Sequence, residues 1–276
     1  MKKLSLVILF MSLLGSTVFA MSIIENVDIN INNVEEEIER ELEVKSGVLL
    51  YIWSTNGSIK VTTWNQDYVY LHMKKIASSK EDLNKIIIDI RNNKEKLQIK
   101  TKKEDKKANI GVSYTLKIPE HIIVKLLDTS NGSIYLEGTK GNAELDTSNS
   151  GITVKNVAGF ITADTSNGSI EVYNSGIYKL DTSNSSITAE IGEVMNDILI
   201  DTSNGSIELY LSEKNDVELK LDTSNGKISF EDFKNVSVFE EDDDYFHGQI
   251  GTGKYKLLAD TSNGSIRIYQ GGSSSW

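Results

Sequence analysis

Hydrophobic and polar residues alternate with a period of two over most of the chain beyond about residue 120. In residues 161–165 (Ile-Thr-Ala-Asp-Thr) the first, third and fifth side chains share one face, and the other two share the opposite face. The same phase recurs in residues 178–181, 198–201 and 217–222. Each run is followed by an Asn-centred turn and a second short run, such as residues 169–172 (Ser-Ile-Glu-Val). The pattern predicts a unit of strand, tight corner, strand and return loop.

The corner sequence Asp-Thr-Ser-Asn repeats at nearly constant spacing. Its seven copies begin at Asp128, Asp146, Asp164, Asp181, Asp201, Asp222 and Asp260. The intervals between them are 18, 18, 17, 20, 21 and 38 residues, and the last is about two periods. We therefore expect a diverged copy near residues 240–244. A repeat of this length cannot bury its apolar face alone, so the repeats must stack on one another.

Two arrangements fit such a unit. Consecutive hairpins would give an antiparallel meander, for which Asn-Gly is a strong turn signal. A solenoid would place identical corners above one another in parallel sheets, about 4.8 Å apart. The near-identity of the corner favours the solenoid, because only a stack rewards recurring Thr and Asn with side-chain ladders. We predict an all-β fold, a β-solenoid or β-helix with coils of about 18–20 residues over residues 119–270, followed by a flexible tail at 271–276.

Residues 21–118 are predicted to form an amino-terminal β-rich segment of the same fold. It contains an early copy of the corner at residues 54–59 and strand-like runs at 67–75, 97–101 and 111–118. A Ser cap and helical charge spacing predict one short helix within residues 78–88. Residues 35–45 fit either an edge strand or a short helix. Pro119 follows a strand and is expected to mark the entry to the repeats.

Residues 1–20 have the composition of a cleaved export signal, and this fixes the expected setting. Lys2 and Lys3 precede an apolar stretch that is too short to span a bilayer, and Val18-Phe19-Ala20 fits the cleavage pattern. The rest of the chain offers no integral membrane segment. We expect an exported protein that is periplasmic, secreted or attached to the cell surface. Without cysteines it forms no disulfides, and its stability must come from packing and backbone pairing.

The formal net charge of −11 becomes −13 when Lys2 and Lys3 are removed with the signal. This balance argues against nucleic acid and anionic lipid as partners. The sequence does not identify a partner; a surface protein and a polysaccharide are the candidates.

The chain resembles the bacterial "putative adhesin" family known as domain of unknown function 4097, over about residues 40–270. The resemblance rests on residues 54–61 (Ser-Thr-Asn-Gly-Ser-Ile-Lys-Val), Trp64, the strand 68–75, the strand end Ile118-Pro119 and the repeated Thr-Ser-Asn-Gly-Ser-Ile corners. It implies a β-helix-like fold and a setting at the cell envelope or surface. It supplies no catalytic or ligand-binding residues, and residues 240–247 depart from the family pattern.

The seven repeat Asp residues are the candidate metal ligands. Stacked in register on the outer face, two carboxylates about 5 Å apart repel each other by about 3 kcal/mol at an effective dielectric near 20. Hydrogen bonds from the Ser hydroxyl or backbone N–H groups of the same turn would offset this repulsion. The alternative is Ca²⁺ between the rungs. One carboxylate per turn is few for Ca²⁺, so we expect a structural column and no cofactor.

The Asn-Gly pairs are expected to be structural turn residues, with Gly providing a positive φ and Asn tolerating a left-handed conformation. They are Asn131, Gly132, Asn167, Gly168, Asn204, Gly205, Asn225, Gly226, Asn263 and Gly264. The inward Thr of each corner is expected to form a hydroxyl ladder in which stacked Thr residues satisfy one another.

No residue pattern singles out catalysis. His72, His121 and His247 do not adjoin a repeat Ser in the sequence, and seven equivalent Ser residues argue against one nucleophile. The acidic run 240–244 fits a solvated loop, with a metal site or an acidic catalytic cluster as alternatives. Tyr51, Trp53, Trp64 and Tyr70 fit core positions, with sugar stacking as the alternative. We predict a non-enzymatic adhesin or envelope-binding scaffold; the alternatives are a carbohydrate-active enzyme on the same fold and a passive envelope structural or stress protein.

Overall fold

A computed structural model describes residues 5–8, 23–30, 33–103 and 110–271. These residues form two large mixed β-sheets and one short helix, α1 (Lys80–Asn84), so the predicted all-β class is confirmed. The strands are β1 (Ser5–Ile8), β2 (Ile23–Asn30), β3 (Asn33–Glu43), β4 (Leu49–Trp53), β5 (Ile59–Trp64), β6 (Tyr68–Ala77), β7 (Ile86–Asn92), β8 (Lys96–Lys103), β9 (Ile110–Pro119), β10 (Ile123–Thr129), β11 (Ile134–Glu137), β12 (Ala143–Thr147), β13 (Ile152–Lys155), β14 (Phe160–Thr165), β15 (Ile170–Tyr173), β16 (Gly176–Thr182), β17 (Ile187–Ile191), β18 (Ile198–Thr202), β19 (Ile207–Leu211), β20 (Val217–Thr223), β21 (Ile228–Glu231), β22 (Ser237–Glu241), β23 (Tyr245–Ile250), β24 (Tyr255–Thr261) and β25 (Ile266–Gln270).

Each repeat contributes one strand to each sheet. The first sheet has the order β1-β2-β3-β6-β9-β5-β11-β13-β15-β17-β19-β25-β21, and the second has the order β22-β23-β20-β24-β18-β16-β14-β12-β10-β4-β8-β7. We call a pair of consecutive strands, one in each sheet, a rung. The corner copies begin in the second sheet and lead into the first.

Successive repeats pair in parallel and in register. Asp146 of β12 lies opposite Asp164 of β14, and Ile152 of β13 lies opposite Ile170 of β15. The same match continues through the other corner copies. The pairing is therefore parallel between repeats, as the conserved phase of the pattern predicted, and not that of an antiparallel meander.

The order of the rungs departs from the order of the chain at both ends of the stack. The last repeat, β24/β25, lies between β18/β19 and β20/β21, since Asp260 pairs with both Asp201 and Asp222. At the other end, β4/β5 lies between β8/β9 and β10/β11.

The predicted diverged copy at residues 240–244 is therefore wrong. Those residues belong to an antiparallel hairpin, β22/β23, that pairs with the outer strand β20. The interval of 38 residues reflects this inserted hairpin and not two periods of the repeat.

The inward side chains of both sheets form one core. Ile207 and Leu209 of β19, for example, are fully buried, as are Ile200 of β18 and Leu219 of β20. With no disulfide available, burial of these apolar side chains is the main stabilising contribution. One polar group inside it is satisfied, because the Tyr114 and Thr101 hydroxyls lie 2.7 Å apart.

The amino-terminal third covers the edge of the first sheet. Strand β6 pairs antiparallel with β9, and β3 pairs antiparallel with β6. The run at residues 35–45 is thus a strand, although it is interior between β2 and β6 and not at an edge. The predicted helix is confirmed as α1, whose first turn is capped by the Ser79 hydroxyl accepting from the Asp82 N–H at 3.1 Å.

The predicted export signal, residues 1–20, lies outside the described residues except for β1, which pairs antiparallel with β2. The predicted tail, residues 271–276, also lies outside them except for Gly271. Within the part of the chain that the structure describes, no helix has the length and apolar character needed to cross a membrane.

Candidate functional site

The seven repeat Asp residues form one continuous column on the outer face of the second sheet. In spatial order the column runs Asp222, Asp260, Asp201, Asp181, Asp164, Asp146 and Asp128. Beyond Asp128 the same position is occupied by Trp53 of β4 and then by Lys100 of β8. Sequence analysis placed these carboxylates in register and outside, and the structure confirms both points.

The pKa of most carboxyl groups in this Asp column is raised from the ordinary value of an Asp side chain. Partial burial is the largest cause of the raised pKa of Asp146, and the charges of Asp128 and Asp164 raise it further. The pKa is also raised at Asp128, Asp164, Asp201 and Asp260, with burial again the first cause.

The expected local compensation of the Asp column is wrong. Among the described residues, no repeat Asp accepts a hydrogen bond from its own turn. One residue of the column is paired with a cation, since Lys179 Nζ lies 2.7 Å from Asp181 Oδ2. The described residues contain no group of three or more His, Asp or Glu side chains arranged to hold a metal ion. The absence of a cofactor stays a prediction.

The turn Asn residues form a side-chain amide ladder. Each donates its Nδ2 hydrogen to the Oδ1 atom of the Asn in the neighbouring rung, at 2.5–3.1 Å where the ladder joins two repeats. The ladder begins at Asn56, which accepts from Asn131 and donates to the Ile110 carbonyl oxygen. Asn131, Asn167, Asn204, Asn225 and Asn263 are thus at the corners where the sequence placed them, and they link neighbouring rungs.

The Thr column is buried as expected, but its hydrogen bonds differ from the prediction. Each Thr hydroxyl donates to a backbone carbonyl of the neighbouring rung, and not to another Thr. Thr202 Oγ1, for instance, donates to the Ser185 carbonyl oxygen at 2.9 Å. The seven distances lie between 2.7 and 3.0 Å. These bonds join each buried Thr hydroxyl to the backbone of the next rung.

The corner glycines are needed for close approach and not for a positive φ, which corrects the prediction. Among the described residues, the glycines with a positive φ lie in other loops. Of the Asn residues at the Asn-Gly-type corners, Asn56 has a positive φ, 53°. A Cβ atom added at any of the five corner glycines would lie 1.8–2.0 Å from a carbonyl oxygen of the adjacent rung. The five are Gly132, Gly168, Gly205, Gly226 and Gly264.

The acidic run and the His residues do not assemble a reactive centre in the described part of the chain. Glu240 and Glu241 lie on the exposed strand β22. His247 Nε2 lies 2.8 Å from Glu218 Oε1, and no Ser or Thr hydroxyl of the described residues is hydrogen-bonded to this ring. His72 lies on a different strand, β6, where its Nε2 atom is 3.6 Å from Glu37 Oε2. The hypothesis of a metal site at residues 240–247 gains no support from this geometry.

Aromatic rings stand on the outer faces of both sheets, where sequence analysis expected core side chains. Tyr51 and Trp53 are half-buried on the second sheet, with ring centroids 5.8 Å apart and planes 8° from parallel. Trp64 of the first sheet packs on Tyr68 at 4.9 Å and on Tyr70 at 6.2 Å. Burial and the neighbouring carboxylate of Glu39 raise the pKa of Tyr70 to about 12, so its phenol stays neutral.

Two further outward ring pairs were missed by sequence analysis. Tyr210 and Tyr269 stack at 5.0 Å across β19 and β25, and Phe160 lies 4.7 Å from Tyr178 across β14 and β16. A periodic signal existed for the first pair, because Tyr210 and Tyr269 each follow the first inward Ile of their strand by three residues, as Tyr173 does in β15. The second pair sits beside a bulge in β16, and the repeat pattern carries no signal for it.

A groove of about 560 Å³ adjoins the Phe160–Tyr178 pair, at the return loops between the sheets. Val157, Phe160 and Met195 provide its apolar lining, and Glu193 provides a carboxylate. The Met195 side chain is 52% exposed, which is unusual for a large apolar residue without a partner.

No protein-family model and no curated protein matches the chain. Solved structures of similar arrangement exist. The chain is similar to a "putative cell adhesion protein" of Clostridium sporogenes ATCC 15579, with 14% identity, a TM-score of 0.36, and coverage of 86% of this chain and 99% of that one. It is similar to a "putative adhesin" of Bacteroides fragilis NCTC 9343, with 15% identity, a TM-score of 0.34, and coverage of 84% and 96%.

A third similar structure is the "putative lipid binding protein" of Parabacteroides distasonis ATCC 8503. It has 14% identity and a TM-score of 0.40, and the match covers 87% of this chain and 97% of that one. Two of the three names thus refer to adhesion, which fits the adhesin resemblance only at that coarse level. At these TM-scores and identities, membership of the family stays a prediction.

Proposed function

We propose that this chain is an exported, non-enzymatic β-solenoid that binds polysaccharide at the cell envelope. In this proposal the stacked rungs provide a rigid support, and the outward side chains provide the binding surface. Two observations are in favour of a rigid stack: the seven corner copies pair in parallel, and the amide ladder links them. The signal-like residues 1–20 support export.

The outward aromatic rings carry the proposal. Four pairs of rings lie on the outer faces of the sheets: Tyr51–Trp53, Trp64–Tyr70, Phe160–Tyr178 and Tyr210–Tyr269. A half-exposed ring on a flat sheet costs solvation free energy unless a partner covers it. The aliphatic face of a sugar ring packs well on such a surface, while its hydroxyls stay hydrated.

The alternative of a carbohydrate-active enzyme lacks an observation in its favour. Most glycoside hydrolases use two carboxyl groups that flank the bond to be cleaved. The Asp column instead lies on one flat face, with each carboxyl beside the next. A passive structural role would not require the exposed rings or the exposed Met195.

Sedimentation with isolated envelope polysaccharide tests the proposal. Ala substitutions would be introduced at each ring pair in turn, for example Tyr210→Ala together with Tyr269→Ala. Loss of an aromatic anchor commonly costs about 2 kcal/mol of binding free energy, so at least one variant should bind roughly tenfold or more weakly.

The matched control is Phe239→Ala, an aromatic residue on the outer hairpin that is 56% exposed and belongs to none of these pairs. Each variant should retain the thermal midpoint of the parent within a few degrees, since the altered rings lie outside the core. Binding that is absent in the parent protein, or that falls equally in the control, would refute the function. Amino-terminal sequencing of exported protein should find cleavage after Ala20.

A further inference from the structure

A small basic pocket lies on the outer face of the second sheet at its β7 edge, in an otherwise acidic protein. It has a volume of about 280 Å³ and is lined by Trp53, Asp89, Arg91, Gln98, Lys100 and Lys102. These side chains come from three adjacent strands, because Trp53 of β4 pairs with Lys100 of β8, which pairs with Asp89 of β7. The pocket is thus built on sheet positions and not on loops.

The pocket carries a surplus of positive charge. Its lining has three cations and one carboxylate, a formal excess of two positive charges. Asp89 is shared by two of these cations, at 2.7 Å from Lys102 Nζ and 3.1 Å from Arg91 Nη2. The hydrogen bond from Lys102, followed by the one from Arg91, lowers the pKa of Asp89, so this carboxylate is ionised and occupied at neutral pH. It holds the two cations in place and is unsuited to proton transfer.

The third cation is paired with a ring and with no carboxylate. Lys100 Nζ lies 5.6 Å from the centre of the Trp53 ring, and Lys96 Nζ lies 5.8 Å from the centre of the neighbouring Tyr51 ring. Within the described residues, Lys96 and Lys100 form no ion pair with an acidic side chain. The Trp53 ring therefore carries one ammonium group of the pocket, that of Lys100, which no carboxylate contacts. Its charge also acts at longer range on Asp128, where it partly offsets the burial that raises the pKa of that carboxyl group.

The sign of the charge changes sharply beside this pocket. Asp128, the first carboxylate of the Asp column, occupies the position next to Trp53 on the opposite side from Lys100. An anionic group is attracted toward the β7 edge and repelled from the rest of the face.

We propose that this pocket binds an acidic polysaccharide, with one sugar ring on the Trp53 face and its anionic group between Lys100, Lys102 and Arg91. The volume lies just below the usual range of ligand pockets, about 300–1,000 Å³, so it holds one sugar-sized group and not a long segment. Arg and Lys donors recognise carboxylate and phosphate groups through short charge-assisted hydrogen bonds. The inference rests on the proposed function and adds to it the chemical class of the ligand and a specific site.

Binding of the purified protein to immobilised polygalacturonate, to a phosphate-bearing wall polymer and to neutral dextran tests the inference. The first two probes distinguish carboxylate from phosphate as the anion. Lys100→Gln should weaken binding to the preferred acidic polymer about tenfold, as expected for loss of a charge-assisted contact. Lys155→Gln is the matched control, because Lys155 Nζ lies 5.4 Å from the Tyr173 ring centre and loses the same charge far from the pocket. It should change affinity by less than about twofold.

Tryptophan fluorescence gives a second readout that does not depend on a loss of affinity. The acidic polymer should change the emission of the parent protein, and Trp53→Phe should abolish most of that change, while Lys155→Gln, which is far from the Trp53 ring, should retain it.

Several outcomes would overturn the inference. These are equal weakening by Lys100→Gln and Lys155→Gln, equal affinity for dextran, and tighter binding of duplex DNA or anionic vesicles than of either acidic polymer. A protein that sediments with envelope polysaccharide but binds neither acidic polymer would refute the acidic site and leave the proposed function intact. A protein that does neither refutes both.

Discussion

Replacement of Gly205 by Ala should disrupt the contact between two rungs. A Cβ atom at this position would lie 2.0 Å from the Ser185 carbonyl oxygen and 2.3 Å from its carbon, whereas real Cβ atoms stay beyond 3.0 Å. The opposing atoms are backbone atoms of the adjacent rung, so no side chain can rotate away. The two rungs must therefore move apart locally by about 1 Å, which is a large displacement compared with the spacing of about 4.8 Å between neighbouring strands.

The expected cost follows from what such a separation breaks. Overpacking a tightly packed site costs about 1–3 kcal/mol. The Ser185 carbonyl oxygen also accepts the 2.9 Å hydrogen bond from the buried Thr202 hydroxyl, and a hydrogen bond of this kind contributes about 1 kcal/mol. We therefore expect Gly205→Ala to lower the free energy of unfolding by about 2–4 kcal/mol.

Gly192→Ala is the matched control. A Cβ atom at Gly192 meets nothing within 4 Å, and its φ lies outside the positive range. The same substitution there should leave stability unchanged or raise it by about 0.5 kcal/mol, because Ala restricts the unfolded chain. Urea titrations followed by far-ultraviolet circular dichroism would measure both variants. Equal midpoints for the two variants would refute the close approach of rungs at the corners.

Three further predictions concern the Asp column and the ends of the stack. Asp146→Asn should raise the thermal midpoint at pH 7, because the folded state raises the pKa of this carboxyl group and is therefore destabilised by its ionised form. The gain in thermal midpoint should shrink as the pH falls toward 4, where the carboxyl group becomes protonated. Asp181→Asn, which removes the 2.7 Å ion pair with Lys179, should give no such gain. Calcium should shift the thermal midpoint no more than magnesium, since one carboxylate per rung is a poor Ca²⁺ site; a large, saturable rise with calcium alone would contradict this. Deleting residues 255–276 should lower the denaturation midpoint and broaden the transition, because it removes an internal rung; an unchanged midpoint would show that β24/β25 is not between β18/β19 and β20/β21.

The sequence was sufficient to predict how one repeat meets the next. The alternation in residues 161–165 placed Ile161, Ala163 and Thr165 inside, and all three are buried, while Asp164 is exposed. The recurring corner predicted parallel pairing in register, because only that arrangement aligns Asn with Asn. The structure confirms this in the amide ladder between Asn149, Asn167 and their neighbours.

The chemistry at the corners was harder to predict, because it depends on atoms that come from different rungs. Whether a Thr hydroxyl donates to another hydroxyl or to a carbonyl oxygen depends on which atom of the neighbouring rung lies next to it. The sequence of one repeat does not state how its turn is positioned relative to the turn of the next rung. For the same reason Gly205 fits both a positive φ and a close approach when it is considered within its own turn. The outward placement of Tyr51 and Trp53 could have been inferred, since Leu50 and Ile52 alternate with them and are fully buried.

The order of the rungs could not be predicted, because the corner sequences are nearly identical and one repeat can take the place of another in the stack. Any Asp-Thr-Ser-Asn strand can pair with any other in the same register, so local sequence does not state which copy is outermost. The choice is made by the segments that adjoin a copy along the chain. The hairpin β22/β23 follows β21 directly and pairs with β20, and β7 precedes β8 directly and pairs with it.

Interchangeable repeats also create a hazard, and the strand order reduces it in the second sheet. An exposed parallel strand with the common corner would accept the same strand of another copy and extend the sheet. In the second sheet, both outermost rungs are instead covered by antiparallel strands that lie next to them in the sequence, so each cover forms by a short-range contact. The last repeat then fills the position inside the cover and gains a parallel neighbour on each side. A repeat placed at the edge of this sheet would have one parallel neighbour. One rung further in, β24 pairs with β18 on one side and with β20 on the other, and so it contributes to the stability of both.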